Sequence, residues 1–427
     1  MNVETRGCVT ADHTGAWRTW LAVGATGFGG PAGQVAILHR EVVERKRWLD
    51  EEEFLAALRV CTLLPGPEAQ QLATYAGWRI GGTTGGLVAG TLFVLPGAIL
   101  VTMLAWLHAA GRAVPLVSAA FAGVRPAVVV LVAMAAWRLA RKSIRSAQIG
   151  WLTIAVGAAL VAGVPFPVIV AGCFVLGWLA PSALGPSAGG RTPVAVSDHR
   201  AEGVGSWFGR MRYGGGVVLV ALAVWIASYA MVWLTAAAGG RGPALARLFT
   251  ETTLLSIGGA YAVVPWALDE SLTRGWLDPD EQFAALAMGE ATPGPLILVV
   301  TFIGFLAGWK ADPTAAATAG IEGAGVATLF AFIPSFAMIL SLAPAVRAIR
   351  AGSRLGGGLT AVGAAVVATI TMLASRLAEE AFVGDGRIDL AAIVTAAAAA
   401  AALAIGRIPT PIVVVAAAAL GVLRATW

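Results

Sequence analysis

The sequence predicts an all-α polytopic membrane protein, built from two inverted repeats of six helical elements joined by one extra transmembrane helix. Three observations predict this fold: an apolar composition, a series of long apolar segments, and a helix-breaking motif that occurs twice. Hydrophobic residues make up 58% of the 427 residues and charged residues only 12%, with a mean hydropathy of +0.79. Such a chain has too little polar surface to cover a soluble globule.

The apolar segments divide into two groups by length and continuity. Long runs suited to membrane helices of roughly 20 residues lie at about 85–108, 114–137, 148–164, 166–182, 214–238, 318–344, 357–378, 388–405 and 408–425. Shorter or interrupted segments lie at about 15–39, 53–80, 244–268 and 283–309. In chain order this gives six elements, one single helix and six more.

The motif Pro-Gly-Pro occurs inside two of the interrupted segments. Its copies are Pro65-Gly66-Pro67 and Pro293-Gly294-Pro295, and each follows a Trp-Leu-Asp sequence. The separation is 293 − 65 = 228 residues for the prolines and 276 − 48 = 228 for the tryptophans. A lone Pro-Gly-Pro is usually a turn. Duplication at one spacing favours a functional break, because lipid tolerates an interrupted helix only where protein encloses it.

The duplication divides the chain into four regions. We predict an N-terminal repeat at 1–182, a cytoplasmic linker at 183–212 rich in Gly, Ser, Pro and Arg, a connecting transmembrane helix at 213–240, and a C-terminal repeat at 241–427. If each repeat crosses the membrane an even number of times, the single helix between them inverts the second repeat.

Charge bias supports the inversion. The loop before the first Pro-Gly-Pro carries Arg40, Arg45, Lys46 and Arg47, whereas the equivalent loop at 269–281 carries only Arg274. Positive loops face the cytoplasm, so these two loops are predicted on opposite sides, with the interrupted segments as re-entrant hairpins. If those segments cross the membrane instead, the loops exchange faces and the charge rule is violated. The same rule places the basic end of the 114–145 region inside, with Arg138, Arg141, Lys142 and Arg145.

Several other function classes are disfavoured. The net charge of +5 comes from scattered arginines that form no basic patch interleaved with aromatics, so no nucleic-acid partner is expected. The four histidines have no metal-ligand spacing, and no cofactor is expected. We find no nucleophile motif and no Walker-type phosphate loop, which argues against an enzyme and against ATP-driven pumping.

The breaks themselves are candidate anion sites. A helix that starts after a break presents unpaired N–H groups and roughly half a positive charge, and two inverted breaks would bring two such helix ends together. Double glycines precede each break, and site-lining and helix packing are about equally favoured for them. They are Gly29 and Gly30 in the first repeat and Gly258 and Gly259 in the second.

Polar residues near the breaks are the further candidates. Arg125, in the middle of an apolar segment, is the first candidate to compensate a dianion, because a charge in hydrocarbon costs several kcal/mol unless paired. Arg59 is a second candidate, although an ion pair with the nearby glutamates is equally favoured.

Four polar residues near the breaks can either donate hydrogen bonds to an oxyanion or satisfy the backbone groups that the breaks leave free: Gln34, Gln70, Gln71 and Thr292. For Gln70 and Gln71 the role in satisfying the backbone is preferred. Glu290 is the candidate coupling residue; Glu68 is another, although ordinary helix capping also explains it.

Several stretches of both halves resemble the long, two-domain form of the CHR family of chromate ion transporters. They are Phe28–Gln34, Glu41–Asp50, Leu63–Pro67 and Phe93–Pro96, followed by Ile257–Tyr261, Gly275–Leu277, Gly289–Pro295, Thr301–Gly304 and Phe332–Phe336. The resemblance implies a bacterial inner-membrane transporter that exports chromate, confers chromate resistance and handles sulfate-like oxyanions. It also implies a basic residue before Pro126, as here, whereas the family more often has a small polar or amide residue in place of Glu68.

The sequence thus predicts a secondary active chromate exporter in contact with membrane lipid, with sulfate as competitor or alternative substrate. A passive anion channel and a sulfate-type uptake transporter are the alternatives. The coupling ion is not predicted, and a homodimer is left open.

Overall fold

The computed structural model describes residues 15–181, 204–235, 240–346, 353–384, 387–406 and 408–426. Within these ranges the first part of the chain forms α1 (Ala16–Thr26), α2 (Gly30–His39), α3 (Glu51–Leu63), α4 (Glu68–Gly111), α5 (Pro115–Ser143), α6 (Ala147–Val161), α7 (Phe166–Leu179) and α8 (Val204–Thr235). The rest forms α9 (Gly242–Leu255), α10 (Val264–Thr273), α11 (Pro279–Ala291), α12 (Val299–Ala311), α13 (Ala316–Leu342), α14 (Ser353–Phe382), β1 (Val383–Gly384), β2 (Arg387–Ile388), α15 (Leu390–Ala404) and α16 (Thr410–Thr426). The two strands pair antiparallel over only two residues each.

The predicted all-α polytopic membrane class is confirmed. Five helices among the described residues are long and apolar enough to cross a membrane, and they are Glu68–Gly111, Pro115–Ser143, Met211–Thr235, Ala316–Ala345 and Arg354–Phe382. The remaining long runs form the shorter apolar helices α6, α7, α15 and α16. The shortest, α7, has 14 residues, or about 21 Å.

The same order of elements occurs twice, on either side of α8. Each series begins with a short helix, a glycine loop and a second short helix, followed by a helix that ends at Pro-Gly-Pro. Helices α3 and α11 both have 13 residues. Non-helical angles at Gly81 and Gly82 interrupt α4, so its first arm (68–80) corresponds to α12 and its second arm (83–111) to α13. The opposite orientation of the two series stays a prediction.

Helix α8 starts before the expected connecting helix, although its apolar span, Met211–Thr235, lies close to the expected range 213–240. The domain boundaries themselves stay a prediction. Residues 183–203 of the expected linker lie outside the described residues, but α8 already begins at Val204, inside the range 183–212. No proline lies between Val204 and Tyr213, and helices tolerate isolated glycines, so nothing in this stretch stops the helix.

The two halves pack by exchanging their last helices. Helix α5 packs against α15 and α16, and α14 packs against α6 and α7. Missing side chains allow the closest approaches: a Cβ added at Gly123 would lie 2.5 Å from Gly421 Cα, and one added at Gly357 would lie 2.7 Å from Pro181 Cβ. Most of the first arm of α4 and most of α12 are buried. The helices that follow the two breaks therefore lie at the centre of the molecule.

Candidate functional site at the helix breaks

The two Pro-Gly-Pro breaks and the two glycine loops form one cluster. The N–H of Gly294 donates to the carbonyl of Gly27 at 3.2 Å, and the N–H of Gly66 donates to Oγ of Ser256 at 2.8 Å. Gly27 and Ser256 are equivalent positions, since 256 − 27 = 229 matches 258 − 29 = 229 for the double glycines. Each half thus holds the break of the other half with its own glycine loop.

The local sequence explains the shape of each break. Helix α3 ends at Leu63, Leu64 is extended, and α4 starts at Glu68 directly after Pro67. Gly66 and Gly294 lie between their prolines with φ of 121° and 102°, in the left-handed region that favours glycine. Space is also limited, because a Cβ added at Gly66 would lie 2.6 Å from Nε2 of Gln71 and 2.9 Å from Oγ of Ser335.

A proline inside a long helix faces each break. Pro96 lies within α4 and Pro334 within α13. The residue after Pro96, Gly97, lies against the carbonyl of Pro293. The residue after Pro334, Ser335, donates to Oε1 of Gln70 at 2.6 Å. The second arm of α4 therefore backs the second break, and α13 backs the first.

Two buried glutamines bond to the break backbone. Nε2 of Gln34 donates to the carbonyls of Gly27, at 3.2 Å, and Gly294, and Nε2 of Gln71 donates to the carbonyl of Pro65 at 2.7 Å. Among the described residues, Oε1 of Gln34 and Oε1 of Gln71 have no hydrogen-bond partner. Each side-chain amide thus donates its N–H groups to backbone carbonyls at the breaks, and its oxygen can still accept a hydrogen bond. Thr292, the residue that follows α11, is also buried, and its hydroxyl donates to the carbonyl of Met288 in the last turn of that helix.

Two carboxylates and a tyrosine lie in the same cluster. Tyr261 donates to Oε1 of Glu290 at 2.6 Å, and its hydroxyl lies beside Gly30. Glu68 lies beside Gly259. These contacts connect the two Pro-Gly-Pro breaks and the two glycine loops. Glu68 and Glu290 therefore lie where the double glycines contact the breaks.

Sequence reasoning missed the cations nearest to this cluster. Arg138 lies close enough to interact electrostatically with Glu290 and Tyr261, and Lys142 with Glu68. They are four residues apart on α5, so they share one helix face. Both side chains are exposed. The available signal in the sequence is this i, i+4 spacing, which by itself also fits the positive charge expected at a cytoplasmic helix end.

Arg125 and Arg59 lie elsewhere. Nη2 of Arg125 is 2.7 Å from Oδ2 of Asp280, at the start of α11, whereas Glu290 is near its end. Ten residues of helix separate these two acids, or about 15 Å. Arg59 is exposed on α3. Neither arginine belongs to the cluster formed by the breaks and the glycine loops. Their roles as substrate ligands stay predictions.

Sequence reasoning also missed a buried glutamate in each hairpin, where the hairpins are α3 with the first arm of α4 and α11 with α12. Each glutamate joins the start of the first helix to the end of the second, and we call this place the base of the hairpin. Buried Glu53 accepts hydrogen bonds from Arg79 and, at 2.7 Å, from Tyr75. Its equivalent 228 residues on, Glu281, is 1% exposed and accepts from Lys310 at 2.6 Å and Arg112 at 2.8 Å. The visible signal was the Asp-x-x-Glu capping pattern at Asp50 and Asp278.

Asp278, which pairs with the same two cations as Glu281, stays charged at neutral pH. Burial raises the pKa of Asp278, but hydrogen bonds from Arg112 and Lys310 outweigh it and hold that pKa below its ordinary value of 3.8. The two bases lie at the open ends of the hairpins. Since α3 and α11 each have 13 residues, each base is about 20 Å from the break at the other end of its helix.

Comparison with known proteins agrees with this organisation. The family model described as chromate transporter matches residues 15–178 and 243–422. A chromate transport protein of Pseudomonas aeruginosa is 29% identical over 82% of this chain and 77% of its own length. One from Cupriavidus metallidurans is 28% identical over 94% and 90%, and an uncharacterized transporter of Methanocaldococcus jannaschii is 24% identical over 76% and 74%. No solved structure matches significantly.

Proposed function

Because the chain belongs to the chromate transporter family, we propose that it is a secondary active transporter, and not an enzyme, that exports chromate across the bacterial inner membrane. Sulfate is the competing or alternative substrate. The observation that carries this proposal is the crosswise bonding of the breaks, Gly294 to Gly27 and Gly66 to Ser256. Because each half holds the break of the other, both breaks surround one shared site, as expected for a transporter whose access alternates around a fixed site.

The backbone provides the anion-binding chemistry of the proposed site. The first arm of α4 starts directly after Pro67, and a short 3₁₀ turn leads from Pro295 into α12. The first turn of each has N–H groups with no partner inside the helix and a partial positive charge. A tetrahedral dianion offers four acceptor oxygens to such groups. The residues proposed to line the site are Gly29, Gly30, Gln34, Pro65, Gly66, Pro67, Gly258, Gly259, Thr292, Pro293, Gly294 and Pro295.

Charge compensation is assigned to α5. A dianion in a protein interior is strongly disfavoured unless cations or dipoles surround it. Arg138 and Lys142 are the cations that interact with the cluster carboxylates. A bound dianion would compete with Glu68 and Glu290 for them, so substrate binding favours protonation of those acids. Dianion and protons would then move in the same direction, so the driving force for export is the inside-negative membrane potential acting on a dianion that carries fewer than two protons, and Glu68 and Glu290 set the pH dependence.

The decisive experiment is uptake of radiolabelled chromate into inverted membrane vesicles, with pH and voltage gradients imposed separately and sulfate as competitor. Export predicts saturable uptake that responds to the proton gradient and falls with sulfate. Flux that neither saturates nor responds to that gradient would favour a channel. Uptake in right-side-out vesicles alone would favour an importer.

Variants on α5 test the assigned cations. Arg138→Gln is expected to raise the chromate KM roughly tenfold, about 1.4 kcal/mol of lost binding. Arg141→Gln is the matched control, because the guanidinium of Arg141 lies over the ring of Trp137, 4.8 Å from its centroid. Equal kinetics for the two variants would remove Arg138 from the site.

A further inference from the structure

A cavity lies about 20 Å along α5 from the break cluster, by the 13 residues between Arg125 and Arg138. Its open volume is about 450 Å³, counting the solvent-filled mouth. It lies where the end of α4, the first half of α5 and the start of α11 meet. Its lining includes His108, Arg112, Ser118, Phe121, Arg125 and Asp280.

His108 is the feature of this cavity that ordinary packing leaves unexplained. Its side chain is 8% exposed, and among the described residues neither ring nitrogen has a hydrogen-bond partner. The ring packs edge-on against Phe121 with centroids 4.4 Å apart. A buried polar group without a partner costs about 1–3 kcal/mol. An imidazole in this position is suited to donate to a ligand in the cavity.

The two arginines are held with different strength. Arg112 bonds to Glu281, which is 1% exposed, and to Asp278. Arg125 has one ion pair, to Asp280, with side chains 32% and 54% exposed. Exposed ion pairs are worth only about 0–1 kcal/mol. A dianion can therefore displace Asp280 from Arg125 while Arg112 stays fixed.

We propose that this cavity is a second oxyanion-binding site, distinct from the break cluster, in which Arg125, Arg112, His108 and Ser118 hold a tetrahedral dianion. Asp280 occupies the guanidinium of Arg125 when the anion is absent. Two further charged groups face the cavity residues: Lys310 bonds to Asp278 and Glu281, and Glu380 interacts with Asp280 and Arg125. Displacement of Asp280 frees the guanidinium of Arg125 for the anion.

The test is protection of a cysteine placed in the cavity wall. Cys8, Cys61 and Cys173 are first replaced by alanine, and Ser118→Cys, an exposed position, is modified in purified protein by a negatively charged thiosulfonate. Sulfate is the probe, because chromate would oxidise the thiol. Sulfate is expected to slow the modification about tenfold, whereas chloride at equal ionic strength leaves the rate unchanged.

Three variants complete the design. Ala113→Cys, exposed on the nearby loop and outside the cavity lining, should be modified at the same rate with and without sulfate. Arg125→Gln should abolish the protection of Ser118→Cys. Asp280→Asn should lower the half-protecting sulfate concentration several-fold.

The proposal is overturned if sulfate gives no protection, protects Ala113→Cys equally, or still protects after Arg125→Gln. Failure here leaves chromate transport through the breaks untouched. Protection without chromate uptake in vesicles would instead refute the proposed function and leave the cavity site standing.

Discussion

Single glycines determine whether the breaks can form. Gly66 combines a left-handed φ of 121° with two polar atoms within 3 Å of any added Cβ. Gly66→Ala should slow chromate uptake roughly tenfold, since left-handed strain alone is of the order of 1–2 kcal/mol. Gly157→Ala is the matched control, because an added Cβ there has nothing within 4 Å. Uptake into vesicles, normalised to protein in the membrane, makes the comparison, and equal rates would show that the break tolerates a side chain.

Glu290 is the residue on which the coupling proposal depends. Glu290→Gln removes the titration, so the pH dependence of chromate uptake should flatten across the neutral range. Tyr261→Phe keeps the ring but removes the 2.6 Å hydrogen bond, so it should shift the profile without flattening it. Glu251→Gln, in an exposed pair with Arg247, should leave the profile unchanged. A wild-type profile for Glu290→Gln would exclude its coupling role.

At the scale of elements, sequence patterns located the breaks but not their partners. The interrupted segment at 53–80 and the span at 85–108 are separated in the structure at Gly81 and Gly82. Pro-Gly-Pro and hydropathy are local signals, so they place boundaries well. The partner of Gln34 is 260 residues away, and the partner of Arg125 lies on α11. Such pairings depend on which helices pack together. The spacing of residues in a single sequence does not show this.

The hairpin bases are predicted to stabilise the whole fold. Glu281→Gln leaves Lys310 and Arg112 without their buried partner, and breaking a buried pair costs about 3 kcal/mol. The thermal unfolding midpoint in detergent should fall by about 5 °C or more. Glu251→Gln serves again as the exposed control, with a change of about 1 °C at most. Equal midpoints would mean that the hairpin base contributes no stability.

At the scale of the whole molecule, the exchange of helices between halves limits how they can move. Helices α15 and α16 pack on α5, and α6 and α7 pack on α14, so neither half is an independent body. Composition and repeat spacing predicted the two series, whereas the exchange follows from glycines such as Gly123 and Gly421 that had no visible partner in the sequence.

The inversion itself is tested by labelling from one side of the membrane. In a chain without native cysteines, Glu44→Cys and Arg274→Cys mark equivalent loops before the two breaks. An impermeant thiol reagent on intact cells should label Arg274→Cys at once and Glu44→Cys only after permeabilisation, because the basic loop is retained in the cytoplasm. Thr314→Cys, beyond α12, should label with Arg274→Cys, since Lys310 is bonded to Asp278 and Glu281 at the base of that hairpin. Labelling of both loops from one side would mean that the repeats are parallel. The duplication would then no longer imply that the two helix ends approach one site from opposite sides.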